Sequence, residues 1–226
     1  MLLSTGIPET GMIIHTPGLS CLGKLFKKGT HMAKRSLIEE IRKDQIIESA
    51  IASIAAYGYV KTTLDQIAEV ADVSRGVITY YFKNKDALLT SVLNRILKSI
   101  KDFIKERVQA AGTPMEKLRE YVFASFEHME QNRVYYEAQV ELWSNLEYKK
   151  EINSRLYEVC LETVSELLEN AVSAGELVSV DIPTVSSLIQ ASIDGLMIQW
   201  VFNESSVDLE KTRDALWRAI QGLIGA

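Results

Sequence analysis

Arg75, Gly76, Thr79 and Tyr80 fall in one short run, Ser74 to Phe82, whose large apolar members Ile78 and Phe82 stand four residues apart. If the run is helical, that spacing turns Ile78 and Phe82 to one side and the polar set to the other. The outward set suits the edges of base pairs. Arg75 can donate two parallel bonds to a guanine, Thr79 can bond a base or place its methyl on a thymine, and Gly76 lets the backbone come close to a duplex. Val77 completes the candidate surface, and Ser74 is placed to cap the run. Phosphates would be met at the ends of neighbouring elements, by Thr63, Tyr81 and Lys85, where helix amides and dipoles also attract anions.

Such residues need a support that holds them proud of a surface. Ile47, Ala50, Ile51, Ile54 and Ala55 recur at spacings of three and four, which predicts a first helix over about 39–57. Gly58 ends it with a permissive backbone. In Thr63-Leu64-Asp65-Gln66 the Thr63 hydroxyl can cap the Gln66 amide while Gln66 reaches back, opening a second helix through Ala71. Asp72 and Val73 then turn the chain into the Ser74–Phe82 helix, and Asn84 caps a fourth over about 85–110. The two short helices have too few apolar residues to stand alone, so they must pack on the first in a tri-helical helix-turn-helix head, expected over residues 37–84.

The runs Thr62-Thr63-Leu64-Asp65-Gln66-Ile67-Ala68 and Val73-Ser74-Arg75-Gly76-Val77-Ile78-Thr79-Tyr80-Tyr81-Phe82-Lys83-Asn84-Lys85-Asp86-Ala87-Leu88-Leu89 resemble the head signature of the TetR family of transcriptional regulators. Thr79 stands where the family usually carries an aromatic residue, which is similar to the BetI-like subgroup. The resemblance covers about residues 42–90. It implies a ligand-responsive regulator, expected to be a repressor, that binds a palindromic operator as a homodimer and is released by a small molecule.

Beyond residue 85 the chain reads as a helical body. Thr113 caps and Pro114 opens a helix over about 114–131, followed by helices at about 133–146, 148–174, 183–203 and 208–224. The expected fold is therefore all-α, with about nine helices. Tyr121, Phe123, Phe126, Tyr135, Tyr136 and Trp143, with His128, Glu141 and Asp194 as polar groups, have the composition of a cavity between helices. Aromatic stripes at helical spacing more often form plain core. Phe126, Met129 and Trp143 are the candidate contacts for a partly apolar effector. Leu188, Ser192, Gly195, Leu196 and Trp200, with Leu216 and Ile220 of the last helix, make an apolar surface wider than one neighbour can cover, so they are the candidate dimer interface. Packing within one body is the alternative.

Charge and composition narrow the function classes. Residues 34–90 carry eight basic and eight acidic side chains, whereas residues 91–226 carry 14 against 21, so the head is electropositive relative to the body. Cys21 and Cys160 are too few for a disulfide framework, and no metal or other cofactor is expected. No stretch reaches the roughly 18 apolar residues that span a bilayer, and the beginning lacks a signal core, so a cytoplasmic protein without membrane contact is expected. No Gly-rich phosphate loop or nucleophile elbow appears, which argues against an enzyme. Residues 1–36, broken by Gly6, Pro8, Gly11, Pro17, Gly18, Gly23 and Gly29, read as a disordered extension, and Gly29-Thr30-His31-Met32 reads as a cloning junction or a mis-assigned start. A helical adaptor that binds protein and no DNA remains the competing reading.

Overall fold

A computed structural model describes the backbone of residues 20–143 and 150–225 and the side chains of residues 37–143 and 158–225. Those residues form α1 (Ser20–Tyr57), α2 (Leu64–Val70), α3 (Arg75–Tyr81), α4 (Lys85–Ala110), α5 (Pro114–Gln131), α6 (Arg133–Trp143), α7 (Lys150–Ser173), α8 (Ile182–Phe202) and α9 (Leu209–Ile224). A single 3-10 turn, Glu204–Ser206, precedes α9, and no strand occurs among the described residues. The all-α expectation and its nine helices hold.

The helix ends follow their capping chemistry. Thr63 and Gln66 form the reciprocal box that starts α2, Thr113 and Glu116 form another ahead of Pro114, and Asn84 and Asp208 cap α4 and α9. Gly58, at φ +79°, turns the chain out of α1.

The first helix departs from expectation by starting at Ser20. Gly23 and Gly29 each cost an α-helix only about 1 kcal/mol, whereas proline is excluded from its interior, and the last proline before Tyr57 is Pro17. Residues 20–36, expected to belong to a disordered extension, are helical, and the rest of that stretch, residues 1–19, lies outside the described residues.

The chain divides into two units, Met1–Arg42 and Lys43–Ala226. In the first, Leu37, Ile38 and Ile41 lie exposed on α1. The second contains both the head and the body. Its head core gathers Ile46, Ile47, Ala50, Ile51 and Ile54 of α1, Ile67 and Ala68 of α2, Ile78 of α3 and Phe82 beside Leu88–Ile96 of α4, and it is completed by Ala138 and Leu142 of α6. The expected boundary at residue 84 therefore divides elements that share a core.

The body core runs through α4 to α9, with Leu118, Val122, Phe126 and Met129 of α5 at its middle. Among the described residues, α8 is long and apolar enough to cross a membrane by length and composition, which corrects the expectation that no segment reaches that mark. Here one side of α8, from Val185 through Ile189, Ile193 and Met197 to Trp200, is buried inside the body.

Candidate DNA interface and the body beneath it

The α2–α3 unit is held by backbone and side-chain bonds around a turn with one left-handed residue, Asp72 at φ +50°. Val73 N–H donates to Ala68 O at 3.0 Å, and Gln45 Nε2 on α1 donates to Ala71 O at 2.8 Å, anchoring the end of α2 to the first helix. Ile78 is fully buried and Phe82 nearly so. With that side fixed, Arg75, Gly76, Thr79 and Tyr80 are exposed, Tyr80 at 70%, as the spacing predicted. Val77 and Tyr81 are partly buried against the head core, and the Tyr81 ring meets Tyr80 edge-on at 5.0 Å.

Three details differ from expectation. Ser74 occupies the N-cap position, but its side chain makes no capping bond. Arg75 is engaged within the protein, its Nη1 donating to Asp65 Oδ2 at 2.9 Å. Lys85, expected on phosphate, turns inward: its Nζ donates to Thr62 O at 2.6 Å and Tyr59 O at 3.3 Å and lies 4.8 Å from the Tyr59 ring centre. Desolvation lowers its pKa against the opposing pull of Asp86. Lys61 and Lys83, beside Thr63 and Asn84, are exposed cations that the sequence reading passed over; their position at element ends was the available signal.

Gly76 is helical, and a Cβ there would meet only Ser74 Oγ at 3.6 Å. Nothing in the chain itself therefore requires glycine at the start of α3.

In the body, a chain of polar groups runs through the apolar core. Tyr121 OH donates to Gln190 Oε1 at 2.8 Å, and Gln190 Nε2 donates to Asp194 Oδ1 at 3.0 Å. Burial pushes the Asp194 carboxyl up to about 6, although the Gln190 bond acts the other way. Cys160, raised to about 11 by burial and then by Asp194, and Tyr136, also raised by burial, complete the group.

His128 joins α4, α5 and α6: its Nδ1 lies 2.8 Å from Tyr136 OH and its Nε2 3.0 Å from Ser99 Oγ. Desolvation lowers its pKa to about 4, so near neutrality the uncharged ring donates through one nitrogen and accepts through the other.

Phe126 and Met129 are buried in the body core, whereas Trp143 is only partly buried at the end of α6. Two open clefts, of about 510 Å³ around Phe103, His128 and Tyr135 and about 290 Å³ around Phe123 and Trp217, are lined by none of the three. Glu141 leaves the predicted polar set, because its carboxylate accepts the Tyr59 N–H at 3.2 Å. Trp200 and Ile220, expected at a dimer interface, are instead 4% and 3% exposed in the subunit's own core, with the Arg133 guanidinium over the Trp200 ring. Leu188 is 48% exposed, and Ser192, Gly195, Leu196 and Leu216 are partly so.

A short helix with a buried apolar side and a basic, hydroxylated outer side, carried on two supporting helices above an α-helical body, defines a helix-turn-helix DNA-binding regulator. Residues 46–92 match bacterial regulatory proteins of the tetR family, and residues 114–225 match the C-terminal region of BetI-type transcriptional repressors. The chain is 28% identical over 198 residues to the probable acrEF/envCD operon repressor of Escherichia coli K12, covering 82% of this chain and 88% of that one. It is 30% identical over 168 residues to the fatty acid metabolism regulator protein of Bacillus subtilis 168, covering 73% and 86%. The crystal structure of the Bacillus subtilis regulator FadR in complex with stearoyl-CoA superposes with a TM-score of 0.70 at 27% identity, over 78% of this chain and 96% of that one.

The chain belongs to the TetR family, close to its BetI-type members, and is a DNA-binding, ligand-responsive transcriptional regulator. Its relatives are regulators and not enzymes. Family membership sets aside the adaptor reading.

Proposed function

We propose that the protein represses transcription by binding a palindromic operator as a homodimer and leaves it when a partly apolar small molecule enters the body. The observation that carries the reading is the orientation of α3, with Ile78 and Phe82 held inside and Arg75, Gly76, Thr79 and Tyr80 outside. Arg75 and Thr79 read base edges. Thr63, Ser74, Tyr81 and the remaining proton of Lys85, aided by Lys61 and Lys83, contact phosphates. Val77 supports the reading face from its half-buried position.

The effector contacts Phe126, Met129 and Trp143, and its polar end meets the Tyr121–Gln190–Asp194 chain. The hydrogen-bonded chain offers polar groups inside an otherwise apolar core, which supports this placement. The acyl-thioester held by the Bacillus subtilis relative supports a partly apolar effector. Leu188, Ser192, Gly195, Leu196 and Leu216 meet a second copy, and two-fold symmetry gives the palindrome. Acting on chromosomal DNA, the protein works in the cytoplasm.

Selection of duplexes from a random pool tests this reading. It predicts an inverted repeat with affinity that falls steeply as salt rises. Failure to enrich any double-stranded sequence would overturn it.

A further inference from the structure

Asp65 and Arg75 lie ten residues apart, on the two sides of the turn between α2 and α3, joined by the 2.9 Å bond from Arg75 Nη1. Their side chains are 66% and 60% exposed, so the pair adds little to folding stability. Its location is more informative. Arg75 is the first residue of α3, and the leading residues of a recognition helix are those that reach base edges. Asp65 stands in the first turn of α2. A carboxylate on a surface that meets DNA repels phosphates and lowers affinity for every duplex. Asp65 must therefore serve something other than total affinity.

We propose that Asp65 is a specificity-determining positioning residue, holding one edge of the Arg75 guanidinium so that its free N–H groups face a guanine and not a phosphate. The inference rests on the base-reading role given to Arg75 above. A guanidinium carries five donors in a rigid plane, and one bond to Asp65 holds one edge of it while leaving donors for guanine O6 and N7. An untethered arginine on the same surface reaches the nearest phosphate, which looks alike on every sequence. The Asp65 charge also discourages that alternative, because a phosphate drawn to Arg75 would approach the carboxylate. Lys61 and Lys83 lie at other element ends and can supply sequence-independent contacts without it. Asp65 thus lowers overall affinity and raises discrimination.

The test compares the wild type with D65N, D65E, R75A and D65N/R75A, using a duplex selected by the wild type from a random pool and a scrambled duplex of equal length. D65N should bind the scrambled duplex several-fold more tightly, and its selected-to-scrambled affinity ratio should fall roughly tenfold. D65E, which keeps the charge, should recover most of that ratio. In the R75A background, D65N should leave base preference unchanged. Equal tightening on both duplexes, repeated in R75A, would reduce Asp65 to a bare charge and overturn the proposal. Weaker binding to both duplexes with a lower unfolding midpoint would make the pair a staple between helices and overturn it as well. Should R75A keep the wild-type base preference, the base-reading role of Arg75 fails, and the role of Asp65 fails with it.

Discussion

The phenol of Tyr135 on α6 donates to Glu48 on α1, with its oxygen 3.0 and 2.8 Å from the two carboxylate oxygens, across 87 residues of sequence. Burial and the Glu48 charge raise the Tyr135 pKa to about 12, so the phenol keeps its proton at any ordinary pH. Arg95 of α4 pairs with the same carboxylate at 3.7 Å and with Asp44. Six residues beyond Tyr135 on the same helix, Glu141 accepts from the Tyr59 N–H, and a Cβ on Gly58 would stand 3.0 Å from its Oε2. The head therefore hangs from two body helices. Arg95 of the fourth helix and Tyr135 of the sixth meet the same Glu48 carboxylate, and Glu141 of the sixth also holds the turn just past the end of α1. A ligand that shifts α6 relative to α4 would tilt the head by pulling on Glu48 and on the Tyr59 turn together.

If the Tyr135–Glu48 bond carries that connection, the two residues must be energetically coupled. A double-mutant cycle of Y135F, E48Q and the pair, read by urea unfolding, should give a coupling energy of about 1 kcal/mol. The singles should each lower stability by a similar amount. Strict additivity would mean that the contact holds nothing.

Gly76 separates folding from function. Since a Cβ has room there, G76A should leave the fold intact and raise stability by up to about 1 kcal/mol through its better helix propensity. If Gly76 is present so that backbone and duplex can touch, the same methyl must keep them apart, and operator affinity should fall by at least roughly tenfold. A thermal melt and a binding titration on the same preparation decide it. Unchanged affinity would leave the glycine without a role in DNA contact.

What the sequence disclosed depended on how local the cause was. The α2 start was legible because Thr63 and Gln66 cap one another three residues apart, and the outward set on α3 followed from the four-residue spacing of Ile78 and Phe82. Ser74 shows the limit of the same reasoning, because a favourable cap residue at the right position still makes no capping bond. Trp200 was misassigned because α8 is apolar on nearly every side, so periodicity could not say which face meets the subunit's own core. Glu141 was read as a cavity residue because nothing local links it to Tyr59, and the bond from Tyr135, which does line a cleft, to Glu48 was equally hidden; only tertiary packing makes either contact. The inward turn of Lys85 has the same origin, as its partners are backbone carbonyls of a turn more than twenty residues earlier.

The second face of α8 leads to a prediction about assembly. Leu188 is 48% exposed, and nothing stands within 4 Å of where a Cβ on Gly195 or Gly222 would lie, so the subunit itself leaves this surface uncovered. An open surface that carries Leu188 and Leu196 on a mainly apolar helix calls for a partner. L188E should shift sedimentation from dimer to monomer while leaving helical content unchanged. Operator affinity should fall steeply with it, since one head grips only a half-site. A dimer that survives L188E and an equivalent L196E would place the interface elsewhere.

Asp194 and His128 set opposing pH dependences within the same core. The Asp194 carboxyl titrates near 6 when folded, against 3.8 ordinarily, so between those values the folded protein binds the extra proton and stability falls as pH rises. His128 titrates near 4 when folded, against 6.5 ordinarily, so in its window the unfolded chain binds the extra proton and stability rises with pH. Each effect is of order 1–3 kcal/mol, reduced by the water that reaches Asp194. In the wild type the two slopes largely cancel from about pH 4 to about pH 6. D194N should therefore uncover a gain in stability with rising pH, and H128Q should uncover a loss. Urea midpoints measured across that interval give both slopes, and single variants that tilt the profile in the same direction would show that burial does not hold these two groups in their uncharged forms.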